Sequence, residues 1–230
     1  MARDLEILFE DNHLLVINKP AILATMGAAP GKPSLIELAK EYIGEKYDKP
    51  GKVYLGVVSR LDAFVTGVIV VARTSKAAAR LSQQFREKSA EKTYFAIVPD
   101  RGEIADQGQL ENWLVKDEPN HRMMTVKKGS VETAKLARLS YETIGRSQQK
   151  CLLKIKLETG RKHQIRVQLA SANCPILGDK KYGSRLPFKV GIALHSQSLT
   201  IEHPTKREPM TFSAEPPTWW NLGKFRIGPK

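Results

Sequence analysis

Cysteine is scarce in this chain: Cys151 and Cys174 are the only two among 230 residues, too few for a disulfide framework. Cys151 opens an apolar strand pattern and Cys174 precedes Pro175, so both read as reduced, structural thiols. Long hydrophobic runs are missing as well. Nothing approaches the roughly 20 apolar residues that cross a bilayer, and Met1-Ala2-Arg3-Asp4-Leu5 carries no apolar signal region. These absences predict a soluble, cytoplasmic protein with no membrane partner. The five histidines and two cysteines show no metal-ligand spacing, and the His-x-Glu with Pro-Cys-x-x-Cys pattern of zinc deaminases is absent, which disfavours a metal-dependent nuclease or deaminase. Acidic residues are also short. Asp and Glu number 24 against 37 Lys and Arg, for a net charge of +13 and a pI near 9.7. Such a field draws polyanions, because neutralised phosphates release their counterions. No block of Lys/Arg sits beside an amphipathic helix, so nucleic acid is favoured over anionic membrane.

What is present is ordinary globular composition, 41% hydrophobic and 27% charged, which leaves no case for disorder. Patterning predicts short strands over 5–9 and 14–17 around the turn residues Asp11-Asn12. A helix follows from a Ser34 cap to about Glu45, with Leu35, Leu38, Ala39 and Tyr42 on one face. After a turn at Asp48-Lys49-Pro50-Gly51 come a strand over 68–72 and a helix opening at Thr74 or Ser75, with Ala77, Ala78, Leu81 and Phe85 as its stripe. A strand over 92–98 ends in the turn Pro99-Asp100-Arg101-Gly102, and residues 103–130 read as polar and irregular. Strands over 134–139 and 152–157 are separated by a turn at Gly145-Arg146-Ser147. A helix from about Lys162 buries Ile165, Leu169 and Ala172, and late strands cover 192–194, 199–201 and 210–212. Strands grouped with few helices, without alternating βαβ units, predict an α+β fold with a largely antiparallel sheet. No internal repeat is visible, and a single domain over 1–230 is expected.

Two segments carry chemistry. Thr159-Gly160-Arg161-Lys162-His163-Gln164-Ile165-Arg166 packs three cationic groups and an imidazole beside an apolar strand. Far upstream, Ser59-Arg60-Leu61-Asp62 sets a lone carboxylate just before the strand over 68–72. A carboxylate poised near a basic cluster is what a polyanion-modifying enzyme with an acidic nucleophile needs. From the residues alone each position has a second reading. Asp62 fits a turn or helix cap, Arg60 and Arg166 fit phosphate contacts, His163 fits a hydrogen bond to a carbonyl, and Tyr94 fits a core strand residue.

Both segments resemble signatures of the RluA-type pseudouridine synthases, which isomerise uridine in RNA. There the upstream motif reads His-Arg-Leu-Asp-x-x-Thr-Ser-Gly and the downstream one Thr-Gly-Arg-x-His-Gln-Ile-Arg. Lys92-Thr93-Tyr94-Phe95-Ala96 resembles the family's Lys-x-Tyr-x-Ala strand. The similarity runs from residues 7–20 through Pro175-Ile176-Leu177-Gly178-Asp179-Lys180-Lys181-Tyr182-Gly183 to Ala193-Leu194-His195 and His203-Pro204. Several separated motifs in the right order are far more specific than one short pattern. Three positions depart: Ser59 stands for the usual His, Val65 for Thr and Thr66 for Ser.

The resemblance implies a pseudouridine synthase-like fold, a mixed, largely antiparallel sheet flanked by helices with an RNA-binding cleft. It also implies a catalytic domain without the S4-type domain of some relatives. Asp62 would be the nucleophile, attacking C6 of the base or C1′ of the sugar, as an ionised carboxylate. Arg166 would pair with that carboxylate and favour its charged form. Tyr94 would stack on the uracil, its phenol aiding removal of the C5 proton. Arg60 would fill the space left by the extruded base, and Arg161, Lys162 and His163 would contact RNA. No cofactor or metal is implied, because the isomerisation is redox-neutral, and a monomer acting on rRNA or tRNA is expected. The competing class is an RNA-binding homologue that has lost catalysis, made conceivable by Ser59; retention of Asp62, Tyr94 and Arg166 together argues against it.

Overall fold

The computed structural model describes residues 5–48, 51–100 and 104–227. In chain order its elements begin β1 (Glu6–Glu10), β2 (Leu14–Lys19), α1 (Leu35–Lys46), β3 (Gly56–Val57), β4 (Thr66–Ala72) and α2 (Ser75–Glu87). There follow β5 (Glu91–Pro99), β6 (Gln107–Asp117), β7 (Arg122–Val126), β8 (Lys135–Ser147) and β9 (Lys150–Leu157). The chain closes with α3 (Gln164–Ser171), β10 (Leu194–Glu202), β11 (Pro209–Ser213) and β12 (Arg226–Ile227). Contacts divide it into two compact units, Met1–Lys92 with Ser196–Pro216 and Thr93–His195 with Pro217–Lys230. The fold is α+β, with antiparallel strand pairs in both units.

In the first unit the strand order is β1-β2-β4-β10-β11, with β3 on β4. All seven residues of β4 are buried because both faces of the sheet are covered. Leu15, Ile17, Ile69 and Val71 pack with Leu35, Leu38, Ala39 and Ile43 of α1. Their neighbours Leu14, Val16, Val68, Val70 and Ala72 pack on the other side with Ala77 and Leu81 of α2. The period-2 alternation of strand side chains thus feeds two cores, so the run reads as continuously apolar. Both helices start where their caps predict. Ser34 and Glu37 form a reciprocal capping box, worth about 1 kcal/mol, and Thr74 accepts the Ala77 N–H. Asp11 turns β1 into β2, its Oδ1 accepting the His13 and Leu14 amides at 2.7 Å each. Its Oδ2 lies 2.8 Å from His203 Nε2. His203 Nδ1 accepts the Thr205 and Lys206 amides, so Nε2 carries the proton donated to Asp11.

Gly67 is the one glycine of β4, and its conformation is obligatory. Its φ is +107°, and a Cβ there would collide with the Ser196 carbonyl oxygen and stand 2.7 Å from Ser196 N. Gly67→Ala is therefore expected to destabilise the protein by about 3 kcal/mol, through backbone strain and displacement of β10. The midpoint of chemical denaturation measures it; an unchanged midpoint would contradict this account of the close approach.

The second unit has the strand order β5-β9-β8-β6-β7, with β12 on β8. Here the structure corrects three expectations. Residues 103–130 are not irregular: β6 and β7 form a hairpin from Trp113↔Val126 to Asp117↔Arg122. Both strands are largely half-exposed and β6 is mostly polar, and the hairpin's stability comes from β6 pairing with β8, as at Leu110↔Leu139 and Asn112↔Ala137, which local periodicity does not reveal. Gly145-Arg146-Ser147 is no turn either. The register shifts between Thr143 and Gly145 and pairing then resumes, so the glycine marks a bulge inside β8. The reversal falls at Gln148, whose φ is +51°. Finally, the expected strands over 192–194 and 199–201 are not separate: one strand, β10, runs from Leu194 to Glu202, with buried His195 and Ser196 near its start, and residues 192–193 precede it. Burial pushes the Cys151 thiol up to about 12, as suits an unreactive structural thiol. The predicted turns at 48–51 and 99–102 fall partly outside the described residues.

Candidate active site

In the first unit, Asp62 opens a tight turn that feeds β4, closed by Val65 N donating to Asp62 O at 3.1 Å. A second segment braces this turn. Leu23 N donates to Ala63 O at 3.1 Å, Thr25 Oγ1 donates to Leu61 O at 2.8 Å, and Leu61 N donates back to Thr25 Oγ1 at 3.2 Å. Asp62 itself is half-buried, whereas Arg60 is exposed.

The residue that ties the two segments together is Lys19, fully buried at the end of β2 and paired in register with Gly67. Its Nζ donates to Pro20 O at 2.8 Å, Leu23 O at 2.9 Å and Ala63 O at 3.3 Å, which uses all three N–H bonds of an ammonium. Burial pushes Lys19 from its ordinary 10.5 down to about 7, and the charge of Asp62 opposes that shift. A lysine before a proline at a strand end reads as solvated, so the sequence reading missed it. Only its place among the apolar β2 positions hinted otherwise.

This burial has a measurable consequence. The unfolded chain keeps the Lys19 proton up to about pH 10.5, while the folded loop releases it near 7. Between those values the unfolded state binds more protons, so this group makes stability rise with pH, and below 7 its contribution is flat. Lys19→Met should lose that rise in denaturation midpoints measured across the window. It should also turn over about tenfold more slowly, because three carbonyls lose the donor that holds the loop.

In the second unit, Tyr94 lies on β5, buried and opposite Ile155 of β9. Helix α3 begins at Gln164, two residues later than expected, because His163 takes a left-handed φ of +51°. Six consecutive residues, Gln164 to Leu169, are buried. The polar ones each have a defined anchor. Gln164 Oε1 accepts from Thr159 Oγ1 at 2.7 Å and Arg161 N at 3.0 Å, and Gln168 Nε2 donates to Leu110 O at 3.0 Å. Arg166 forks onto Asp179, with Nε to Oδ2 at 2.7 Å and Nη2 to Oδ1 at 2.8 Å, and its Cζ lies 4.9 Å from the Tyr182 ring centre. The Tyr182 hydroxyl accepts Met123 N–H at 2.9 Å and lies 2.7 Å from His163 Nδ1. Arg161 and Lys162 are exposed, with Arg161 Nε donating to Leu136 O at 3.0 Å.

Arg60 and Asp62 thus lie on one loop braced by Lys19, and Arg161, Lys162, His163 and Arg166 lie at one helix entry that Asp179 and Tyr182 bond. Those last two were not singled out from the sequence. The available signal was the turn Gly178-Asp179-Lys180-Lys181-Tyr182-Gly183, whose glycines both take positive φ, +82° and +87°. Among the described residues, no group of three His, Cys, Asp or Glu side chains is placed to hold a metal ion. No helix among them is long and apolar enough to cross a membrane.

The family model described as RNA pseudouridylate synthase matches residues 13–171, a span holding the Asp62 loop, Tyr94 and all of α3. The chain belongs to the RluA-type RNA pseudouridine synthases. Its similarity to curated members covers almost the whole length. The dual-specificity RNA pseudouridine synthase RluA of Yersinia pestis is 36% identical over 215 residues, 91% of this chain and 98% of that protein. The RluA of Escherichia coli K12 is 34% identical, covering 91% and 92%. The ribosomal large subunit pseudouridine synthase D of Zymomonas mobilis is 35% identical over 93% of this chain and 69% of its own. Among solved structures, human RNA Pseudouridylate Synthase Domain Containing 4 superposes with a TM-score of 0.80 at 22% identity, covering 96% of this chain and 94% of that one, which shows the shared fold. This synthase is therefore an isomerase acting on RNA, and its excess of positive charge suits that substrate.

Proposed function

We propose that the synthase converts specific uridines of ribosomal or transfer RNA to pseudouridine, with Asp62 as the nucleophile. The observation that carries this reading is the half-buried Asp62 carboxylate, held at the motif position on a loop clipped by the buried Lys19 ammonium. The names of its relatives, one of dual specificity and one specific to the ribosomal large subunit, support these RNA classes. Asp62 attacks C6 or C1′ and the C1′–N1 bond breaks. The freed base rotates, C5 bonds to C1′, the bond from Asp62 to C1′ or C6 breaks to return the carboxylate, and the proton leaves C5 while N1 ends protonated, so no atom is gained or lost. Arg166, oriented by the Asp179 fork, is assigned to the Asp62 carboxylate. Tyr94 is assigned to stacking on the uracil and to the C5 proton, and Arg60 to the space the uridine leaves. Arg161, Lys162 and His163 are assigned to RNA. We take the two units to work as one catalytic domain, in a cytoplasmic monomer that needs no cofactor.

Tritium release from C5-labelled RNA of a strain lacking this gene tests the proposal, and mapping pseudouridines with and without the gene finds the site. Ser59, in place of the family's histidine, still offers a hydroxyl that donates one hydrogen bond and accepts others. The protein is expected to be active as it stands, with Ser59→His changing the rate by no more than about tenfold, the worth of one neutral contact. An inactive wild type rescued by histidine would instead favour a homologue that binds RNA without modifying it.

A further inference from the structure

Beside the Asp62 loop stand three large apolar side chains that the mechanism does not use. Ile22 is 59% exposed, Met26 50% and Phe64 48%, three of the eight large hydrophobic residues exposed among the described residues. Their placement follows from the bracing bonds. Leu23 is tied to Ala63 and Thr25 to Leu61, so the two segments run antiparallel. Ile22 and Phe64 adjoin the Leu23–Ala63 tie, and Ala24 lies between the two ties, across from Asp62. Apolar residues therefore flank the carboxylate along both segments, where its substrate must approach.

Ile22 is also strained. Its φ is +59°, a left-handed conformation that a β-branched residue adopts only when its surroundings impose it. The cause is visible: Lys19 Nζ holds the carbonyls of Pro20 and Leu23, on either side of Ile22. Glycine would meet this conformation without strain. The chain instead keeps a branched apolar side chain there, in water, at a cost to its own stability. A residue that weakens the free protein in this way points to a partner that covers it.

We infer that Ile22 and Phe64 form an apolar wedge that enters the RNA stack beside the target uridine and holds the neighbouring bases apart while the uridine is out. This rests on the synthase reading of the Asp62 loop. The occupant follows from the chemistry: with a net charge of +13 and Arg60 on the same loop, the approaching surface is a polyanion, and the apolar surface it can offer is the face of a base. Apolar side chains inserted between base steps unstack them at a cost repaid by contact. Such contact reads no hydrogen-bonding edge, so the wedge acts on how easily a site opens and leaves the choice of base to other groups. Its benefit is greatest where the uridine is paired and stacked, and vanishes where it is already unpaired.

The test uses full-length protein and an RNA hairpin carrying 2-aminopurine next to a uridine the enzyme modifies, either base-paired or opposite an abasic site. Wild type is compared with Ile22→Gly and Phe64→Ser. Ile22→Gly is expected to melt at or above the wild-type temperature, because the strain is gone. Both variants are expected to slow the fluorescence rise and single-turnover rate at least tenfold on the paired hairpin, with less than a twofold change on the abasic one. Equal losses on both hairpins would mean that the residues merely support Asp62, and would overturn the wedge. So would unchanged rates on the paired hairpin, or a lower melting temperature for Ile22→Gly. The fluorescence arm needs no turnover. Asp62→Asn, expected to open the paired hairpin as fast as wild type without forming pseudouridine, keeps the two readings apart: near-normal turnover by that variant would end the nucleophile assignment and leave the wedge standing.

Discussion

Asp62→Asn is expected to reduce pseudouridine formation by on the order of 10⁴-fold or more, to background in a tritium-release assay. The amide keeps the size of the side chain and can stay in the same turn, but it supplies no anion to form the covalent bond. Because Val65 N closes that turn on the Asp62 backbone carbonyl, the loop should survive the change, and RNA affinity with it. A binding assay beside the rate measurement separates the two effects. Near-normal turnover by Asp62→Asn would falsify its assignment as nucleophile.

The second large effect is expected at Asp179. Its carboxylate is buried and forks onto the buried Arg166, so Asp179→Ala would strand a guanidinium away from water. Breaking a buried pair from one side costs about 3–5 kcal/mol, enough to lower the denaturation midpoint sharply. Arg166→Lys keeps the charge but loses the planar fork that matches a carboxylate, and is expected to cost catalytic rate much more than affinity. Replacing both partners by apolar residues, as in Arg166→Met with Asp179→Leu, should recover much of the stability while leaving the enzyme inactive. Recovery of activity in that double variant would mean that the pair only packs the unit, and that Arg166 has no catalytic part.

Changes at Arg161 or Lys162 belong to a different class. Both side chains are exposed, and their loss should weaken RNA binding and flatten its salt dependence without touching either unit's core. The contrast with Arg166, five residues beyond Arg161, comes from burial alone.

The helix caps and the class of fold were legible beforehand, and the candidate site residues were named there. Asp62, Tyr94 and Arg166 came from motif positions, and the caps at Ser34 and Thr74 from residue types that bond within their own first turn. The Asp179 fork was not legible, because it joins Arg166 to a carboxylate 13 positions away on a glycine-bounded turn that has no periodicity. Nor was Lys19: its third acceptor, Ala63 O, lies 44 residues along the chain. The polar look of residues 103–130 misled for a related reason, since a half-exposed strand takes its stability from a partner that local patterning does not name.

By itself, then, the sequence determined what short-range forces decide: the two capped helices, the apolar runs of β2 and β4, the α+β class and the excess of positive charge. Tertiary structure alone decided which lysine is buried, which carboxylate grips Arg166, where β8 bulges, and that Ile22 is held strained beside an exposed Phe64. The physical reason is distance along the chain. Caps and alternation act within a few residues, whereas a buried ion or a bracing hydrogen bond is satisfied by whatever group folding brings near, and that group carries no mark in the local sequence.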